Sequence, residues 1–348
     1  MSQLLSNLPY GTRNDAVFLA EMNALCRHHL EGCPEYARMW PAWRPAQSVV
    51  DLPYLHVRLF KHLELKTVKA GIRHERALLS SATTGNQSSR ILLDEQSSKL
   101  QSASSLAILK EELGDHPRPL LILDEARALC QPGKVMARVA AAMSLRPLAS
   151  DIHFLLDDAQ EPASMKWDKL ATLLDNHREL IVYGITWLLW SAWGAAAWPQ
   201  RLRAALAGKR IHFVHSGGWK KLEHEKVARA QFDSTLLRGL DITSRVVDFY
   251  GLVEQVGMVY PLCQYGFRHT PVWGDVIVRD PHTLEPLVGR VGQLQLLNSL
   301  AHGAPYHSVL TEDLGYIEPG ECPCRRSGKR FELVGRMPNV EARGCANV

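Results

Sequence analysis

The residues best placed to do chemistry fall in short polar stretches that follow apolar runs. SSATTGNQSSR, Ser80 to Arg90, sets hydroxyls and a glycine directly after ALLS. Backbone N–H groups and hydroxyls in such a loop can donate to phosphate oxygens. The Gly-Lys-Ser/Thr ending of a Walker loop is missing, which disfavours P-loop kinase or GTPase chemistry. By itself the stretch reads first as a polar surface turn. HSGGWKK, His215 to Lys221, follows RIHFV, and paired glycines at the carboxyl end of a strand let a flat ligand approach the backbone. DFYGLVEQ, Asp248 to Gln255, brings a ring, a glycine and an acid to the end of another strand. TEDLG, Thr311 to Gly315, offers an acidic turn, and VGR ends at Arg336. Each is weak alone, and the information lies in their order.

A second group is defined by ligand type. PLCQYGFRH supplies Cys263 and His269, and ECPC supplies Cys322 and Cys324. Three thiolates and one imidazole are a donor set for tetrahedral structural zinc. Cys-x-Cys is tighter than the commonest finger spacing, so four unrelated reduced side chains remain the plain alternative.

These residues need a scaffold, and the chain between them alternates apolar strands with amphipathic helices. ALLSSATTG reads as strand then loop, DEQSSKLQSASSLAILKEEL as helix, RPLLILD as strand, VMARVAAAMSL as helix and IHFLLD as strand. KRIHFVHSGG and SRVVDFYG repeat the strand-then-loop theme. This order predicts a layered α/β core over about 1–270. From about 271 to 336, VWGDVIVRD, GRVGQLQLL, GYIEP and RFELVGR predict a small antiparallel β subdomain, with 337–348 as a tail.

At 348 residues the chain can bury a large core, as one α/β domain or two unequal ones. A net charge of +4 without a long Lys/Arg run gives no nucleic-acid footprint. The N-terminus is too polar for a signal peptide, so a cytoplasmic setting with reduced cysteines is expected. Cys26, Cys33 and Cys130 read as packing residues. IVYGITWLLWSAWGAAAW, Ile181 to Trp198, carries no charge but is short for a membrane span and is broken by Gly184 and Gly194. It reads better as a buried strand entering a small-residue helix. Its tryptophans also suit an apolar pocket for a fatty or aromatic acid.

The hydroxyl-rich loop, the strand–GG, the YGxxE, the acidic turn and the late GR stand in the order found in adenylate-forming acyl ligases, which the chain resembles. It looks like phenylacetate-CoA ligase and, more closely, the acyl-protein synthetases of bacterial luminescence operons. The closer resemblance rests on LPYLHVRLFK (52–61), GGWK (217–220), VVDFYGLVEQ (246–255) and VGRMPNVEARGC (334–345), and runs from about 50 to 345.

The resemblance implies a large adenylation domain, layered α/β sheets plus a small β subdomain, without the mobile C-terminal domain of these ligases. It implies that Ser81, Thr83, Thr84 and Gly85 embrace the ATP β- and γ-phosphates, and that Gly217, Gly218, Tyr250 and Gly251 frame the adenine. Glu254 would hold Mg²⁺, and Asp313 would bind the ribose with Arg336 nearby. Ala82 stands where the phosphate loop usually has glycine. The catalytic Lys of the mobile domain has no counterpart, which leaves Lys220 as a substitute cation or as a solvated surface lysine. Cys345 falls where the luminescence synthetases carry an acylated cysteine. An idle terminal thiol, with coenzyme A, a carrier pantetheine or an amine as acceptor, is the alternative. Zinc at Cys263, His269, Cys322 and Cys324 is implied by members of the phenylacetate-CoA ligase-like group. The expected activity is formation of an acyl-AMP from ATP and a carboxylic acid, followed by acyl transfer. The competing reading is a catalytically silent partner subunit of an acyltransferase or reductase complex. Whether the chain forms a homodimer or joins such a complex is left open.

Overall fold

A computed structural model describes residues 3–80, 88–129 and 134–338. Asn14 caps helix α1 (Asp15–Gly32) by accepting from Val17 N, and Phe18, Met22, Cys26 and His29 bury one face at helical spacing. A short strand β1 (Leu55–His56) leads into α2 (Leu59–His62). Strands β2 (His74–Leu79) and β3 (Arg90–Asp94) pair antiparallel across the hydroxyl-rich loop. The sequence pattern sends that loop straight into a helix. Instead RILL forms a strand buried at Ile91, Leu92 and Leu93. Only then does Asp94 cap α3 (Glu95–Leu113), accepting from Ser97 N, and the helix ends at Gly114 with φ +77°.

The next elements are β4 (Arg118–Ile122), β5 (Lys134–Met136), β6 (Ala149–Phe154), α4 (Trp167–Asn176), β7 (Glu179–Ile185), α5 (Thr186–Leu189), β8 (Arg210–Ser216), β9 (Arg245–Tyr250) and β10 (Tyr260–Pro261). Apart from β5, which joins β2 and β3 in a separate three-stranded sheet, they build the main sheet. The strand order is β10-β9-β8-β7-β4-β6, parallel throughout except at β10. Strands covered on both faces read as apolar runs, as Leu180, Ile181 and Val182 do here. The expected helix VMARVAAAMSL begins late, because Val135 and Met136 pair with β2 as part of β5.

The last strands are β11 (Arg268–His269), β12 (Gly274–Arg279), β13 (Pro286–Leu287), β14 (Gly292–Asn298), β15 (Ser308–Glu318) and β16 (Arg330–Arg336). They form a seven-stranded antiparallel sheet, β11-β16-β15-β14-β12-β13, with β1 added in parallel beside β15. TEDLG, expected as a turn, lies inside β15, with a register shift between Leu314 and Gly315.

The uncharged Trp-rich segment is β7 running into α5 and one π-helical turn, Trp190–Gly194. Among the described residues no helix is long and apolar enough to cross a membrane. Its rings are spent on the core: Trp193 packs against Trp198 and Phe213, and Trp190 stacks on Phe232.

Four imidazoles, of which His29 and His307 are fully buried, join α1 to the loop between β14 and β15. His29 stacks on His307 with 4.9 Å between ring centres, and His28 stacks on His302. His29 Nε2 donates to Ala301 O at 3.1 Å, and its Nδ1 lies 2.7 Å from the Thr67 hydroxyl. Burial pushes the His307 pKa down to about 3 and holds that of His29 well below its usual value. An unfolded histidine titrates near 6.5, so below that pH the unfolded chain binds more protons and native stability falls. From pH 6.5 down to 5, His307 alone should cost about 2 kcal/mol. Urea unfolding at pH 7 and pH 5 checks this, and His307→Gln should remove that share of the pH dependence.

Candidate active site

Because β7, β8 and β9 are parallel neighbours, their carboxyl ends lie side by side, and the crevice outside such ends is the usual ligand site of these sheets. Beyond β8, Gly217 has φ +77°, and nothing lies within 4 Å of where a Cβ would stand on Gly217 or Gly218. The backbone there is open to a flat ligand. The Thr186 hydroxyl donates to Gly217 O at 2.7 Å and ties this loop to α5. Buried Trp219 anchors its far side against Trp190 and Phe232. Lys220 opens a short 3-10 helix, Lys220–Glu225, and its side chain lies outside the described residues.

At the end of β9, the Tyr250 hydroxyl donates to Asp313 Oδ2 at 2.7 Å. Asp313 on β15 faces Arg336 on β16 as a directly opposed pair, and Arg336 Nε lies 3.7 Å from Asp313 Oδ1. Burial raises the Asp313 pKa, against the Tyr250 hydrogen bond and the Arg336 charge. Burial, with the neighbouring Asp313 charge, also keeps the Tyr250 phenol protonated as a donor.

Glu254 follows on a single 3-10 turn, Val253–Gln255, with its side chain buried. Burial raises its pKa, while the Ser89 hydroxyl and the Lys61 and Arg336 charges pull it down. The carboxylate supplies the hard oxygen ligands that a divalent metal takes. The turn is held rigidly. Gln255 Nε2 donates to Tyr306 O at 2.8 Å, and Asn298 Nδ2 donates to Gln255 Oε1 at 2.9 Å. Gly257 has φ +82°, and a Cβ there would stand 2.6 Å from Gln101 Cα, so only glycine lets the loop rest on α3. Ser104 Oγ donates to Gly257 O at 2.7 Å and fixes that contact.

The base of the hydroxyl-rich loop meets this turn. Ser80 N donates to Ser89 O at 3.1 Å, and Ser89 N donates to Ser80 Oγ at 2.8 Å. Ser81, Thr83, Thr84 and Gly85 lie outside the described residues, as does Cys345. Ser89, Lys61 and Glu312 carry no role in the sequence reading. For Lys61 a signal existed in LPYLHVRLFK, but a β1 of two residues is too short to reveal its partner strand.

Cys263, His269, Cys322 and Cys324 converge, with all ligand atoms within 4.8 Å of one another. Two tight turns present the thiols: Gly266 N donates to Cys263 O, and Arg325 N donates to Cys322 O, both at 2.9 Å. Pairing of β11 with β16 sets His269 opposite Arg330 and brings the halves together. Cys263 Sγ lies 3.9 Å from Cys322 Sγ, and Cys324 Sγ lies 3.2 Å from His269 Nε2. A tetrahedron with zinc–sulfur arms near 2.3 Å has sulfur–sulfur edges of about 3.8 Å, so the donor set fits that metal. Burial pushes the His269 pKa down to about 4, which leaves the ring in its neutral, ligating form.

Comparison with known proteins gives three findings. The family described as acyl-protein synthetase, LuxE, matches residues 9–348. The long-chain-fatty-acid–luciferin-component ligases of Aliivibrio fischeri and Vibrio harveyi are 28% and 26% identical over 142 residues. Those matches cover 40% of this chain and only 37% and 36% of the two relatives. The fold is similar to 2-hydroxyisobutyryl-CoA ligase in complex with 2-HIB-AMP and CoA. For an open conformation of that enzyme the TM-score is 0.64 at 15% identity, over 92% of this chain and 74% of that one.

Proposed function

Since the chain belongs to the acyl-protein synthetase, LuxE, family, we propose that it uses ATP to convert a carboxylic acid to an acyl-AMP and passes the acyl group to a thiol. The observation that carries this reading is the cluster of Tyr250, Glu254, Asp313 and Arg336 at the end of β9, next to the strand β8 whose end bears the open Gly217–Gly218 backbone. The names of the curated relatives favour a long-chain fatty acid as substrate.

In this reading a substrate carboxylate oxygen attacks the α-phosphorus of ATP, the bond to the bridging oxygen of the β-phosphate breaks, and pyrophosphate leaves. No proton moves in that step, so the protein's task is positioning and charge stabilisation. Asp313 accepts from the ribose hydroxyls, with Arg336 beside it. Gly217, Gly218, Tyr250 and Gly251 border the adenine. Ser81, Thr83, Thr84 and Gly85 donate to the β- and γ-phosphates, and Lys220 adds a cation. Glu254 would hold Mg²⁺, which neutralises phosphate charge when bound. An amide cannot replace that carboxylate charge, so Glu254→Gln should abolish ATP–pyrophosphate exchange while leaving the fold intact. Exchange within a few-fold of wild type would remove Glu254 from the chemistry.

The acyl acceptor is proposed to be Cys345. A thiolate attacks the acyl-AMP carbonyl, AMP leaves, and the thioester stays activated for the next acceptor. Cys345 is eight residues beyond Met337, and an extended chain of that length spans at most about 29 Å. Wild type incubated with ATP and acid should gain a hydroxylamine-sensitive acyl mass. Cys345→Ala should make acyl-AMP yet gain none. Equal product turnover by both proteins would exclude Cys345 as the relay.

Cys263, His269, Cys322 and Cys324 are proposed to hold a structural zinc, and a reducing cytoplasmic setting keeps such thiols available. About one zinc per chain is expected by elemental analysis. Cys322→Ser with Cys324→Ser should lose it together with thermal stability, because structural zinc contributes to folding. A stable, metal-free wild type would sink the site.

A further inference from the structure

LPYLHVRLFK carries part of the family resemblance but no assigned role. In the structure β1 runs beside β15, with Leu55 opposite Val309 and His56 opposite Leu310, and Val57 N donates to Leu310 O at 2.9 Å. This pairing delivers Arg58 to Glu312. Arg58 Nε donates to Glu312 Oε1, while Arg336 Nη2 stands 3.5 Å from the other oxygen, Oε2. Arg336 Nε lies 3.7 Å from Asp313 Oδ1. The Glu312 side chain is only 11% exposed, against 60% for Arg336, and Glu312 O accepts from Met337 N at 2.8 Å. One buried acid thus bridges two guanidiniums and pins the chain leaving β16.

We propose that Arg58 is a positioning residue for nucleotide binding, acting through Glu312 to hold Arg336 toward Asp313. The proposal rests on the reading above, in which Asp313 and Arg336 meet the ribose. A guanidinium favours taking both oxygens of a carboxylate in a bidentate fork. Alone with Glu312, Arg336 would turn its fork onto both oxygens and leave Asp313. With Oε1 taken by Arg58, Arg336 meets Oε2 alone and keeps Nε on the Asp313 side. An arginine that is mostly exposed also carries much rotamer freedom, and holding it in advance lowers the ordering cost of binding. Among the described residues, the ion pair of the Arg58 guanidinium is with this carboxylate.

ATP titration calorimetry on the full chain, with pyrophosphate-exchange kinetics and thermal unfolding, tests the proposal. Arg58→Ala should weaken ATP binding about tenfold, the size of one charge-assisted hydrogen bond. KM for ATP should rise while kcat stays within about twofold, because the lost interaction serves ground and transition states alike. Arg58→Lys should recover most of the affinity, since an ammonium can also occupy Oε1. Adding Arg58→Ala to Arg336→Ala should cause no further loss, because both act through one arm. Arg58→Gln carries the same test where the alanine variant fails to fold. Wild-type affinity in Arg58→Ala, or a loss that adds fully to that of Arg336→Ala, overturns the proposal and leaves the adenylation reading standing. Equal weakening of ATP and acid with a fall in Tm also overturns it, by reducing Arg58 to a structural contact. A wild type that binds no ATP overturns the adenylation reading, and this proposal falls with it.

Discussion

The register of β15 against its three neighbours is the constraint on which the rest of the site depends. Asp313 meets Arg336 because they are opposed across β15 and β16, and Glu312 meets Arg58 because β1 takes the same edge of β15 just ahead of β16, opposite β14. A one-residue slip would send each of these side chains to the opposite face of the sheet. Val309 and Leu310, fully or almost fully buried just ahead of the acids and paired on both edges of β15, anchor that register. Core packing thereby sets the geometry of charged groups that contribute little to the core themselves.

The second feature is how much polarity lies buried behind the crevice. Gln255, Asn298, Tyr306, His29 and His307 are all buried and joined through hydrogen bonds or ring stacking. Apolar residues could fill the same volume, but they would not fix direction. Asn298 and Gln255 orient one another and Tyr306 O, so the turn bearing Glu254 has one favoured position. Buried polarity of this kind trades acid tolerance for a defined site. The three cations Arg58, Lys61 and Arg336 stand against the three acids Glu254, Glu312 and Asp313. A near-neutral cluster can then form without an uncompensated buried charge.

The Cys/His cluster sits at the far edge of the same seven-stranded sheet. Cys322 and Cys324 occupy the connection from β15 to β16, and His269 lies on β11, the edge strand beside β16. A metal at that point would tie the β15–β16 connection to the segment that follows β10. It would thus brace the strand pair that opposes Asp313 and Arg336, although it takes no part in the crevice itself.

Local patterns carried much of this in the sequence. The apolar runs of β7, β8 and β9 and the glycines after β8 and β9 each depend on neighbours a few residues away. Their order along the chain was enough to point to the family. The cysteine and histidine set was legible because ligand type restricts chemistry whatever the spacing. Several features were not legible, and the reason is common to them. RILLD could have opened α3, and became β3 because β2 offered a partner edge. TEDLG looked like an acidic turn because its polar residues mask a strand whose pairing partners are distant. Arg58 lies 254 residues from Glu312, and no local pattern encodes that contact. The tryptophans of 181–198 suggested a pocket from composition, but their packing partners, Phe213 and Phe232, are distant in sequence. The sequence by itself determined which chemical groups were present and the order of the strands that bear them. Tertiary structure decided which groups meet, because strand register and burial are settled by long-range packing and not by residue type.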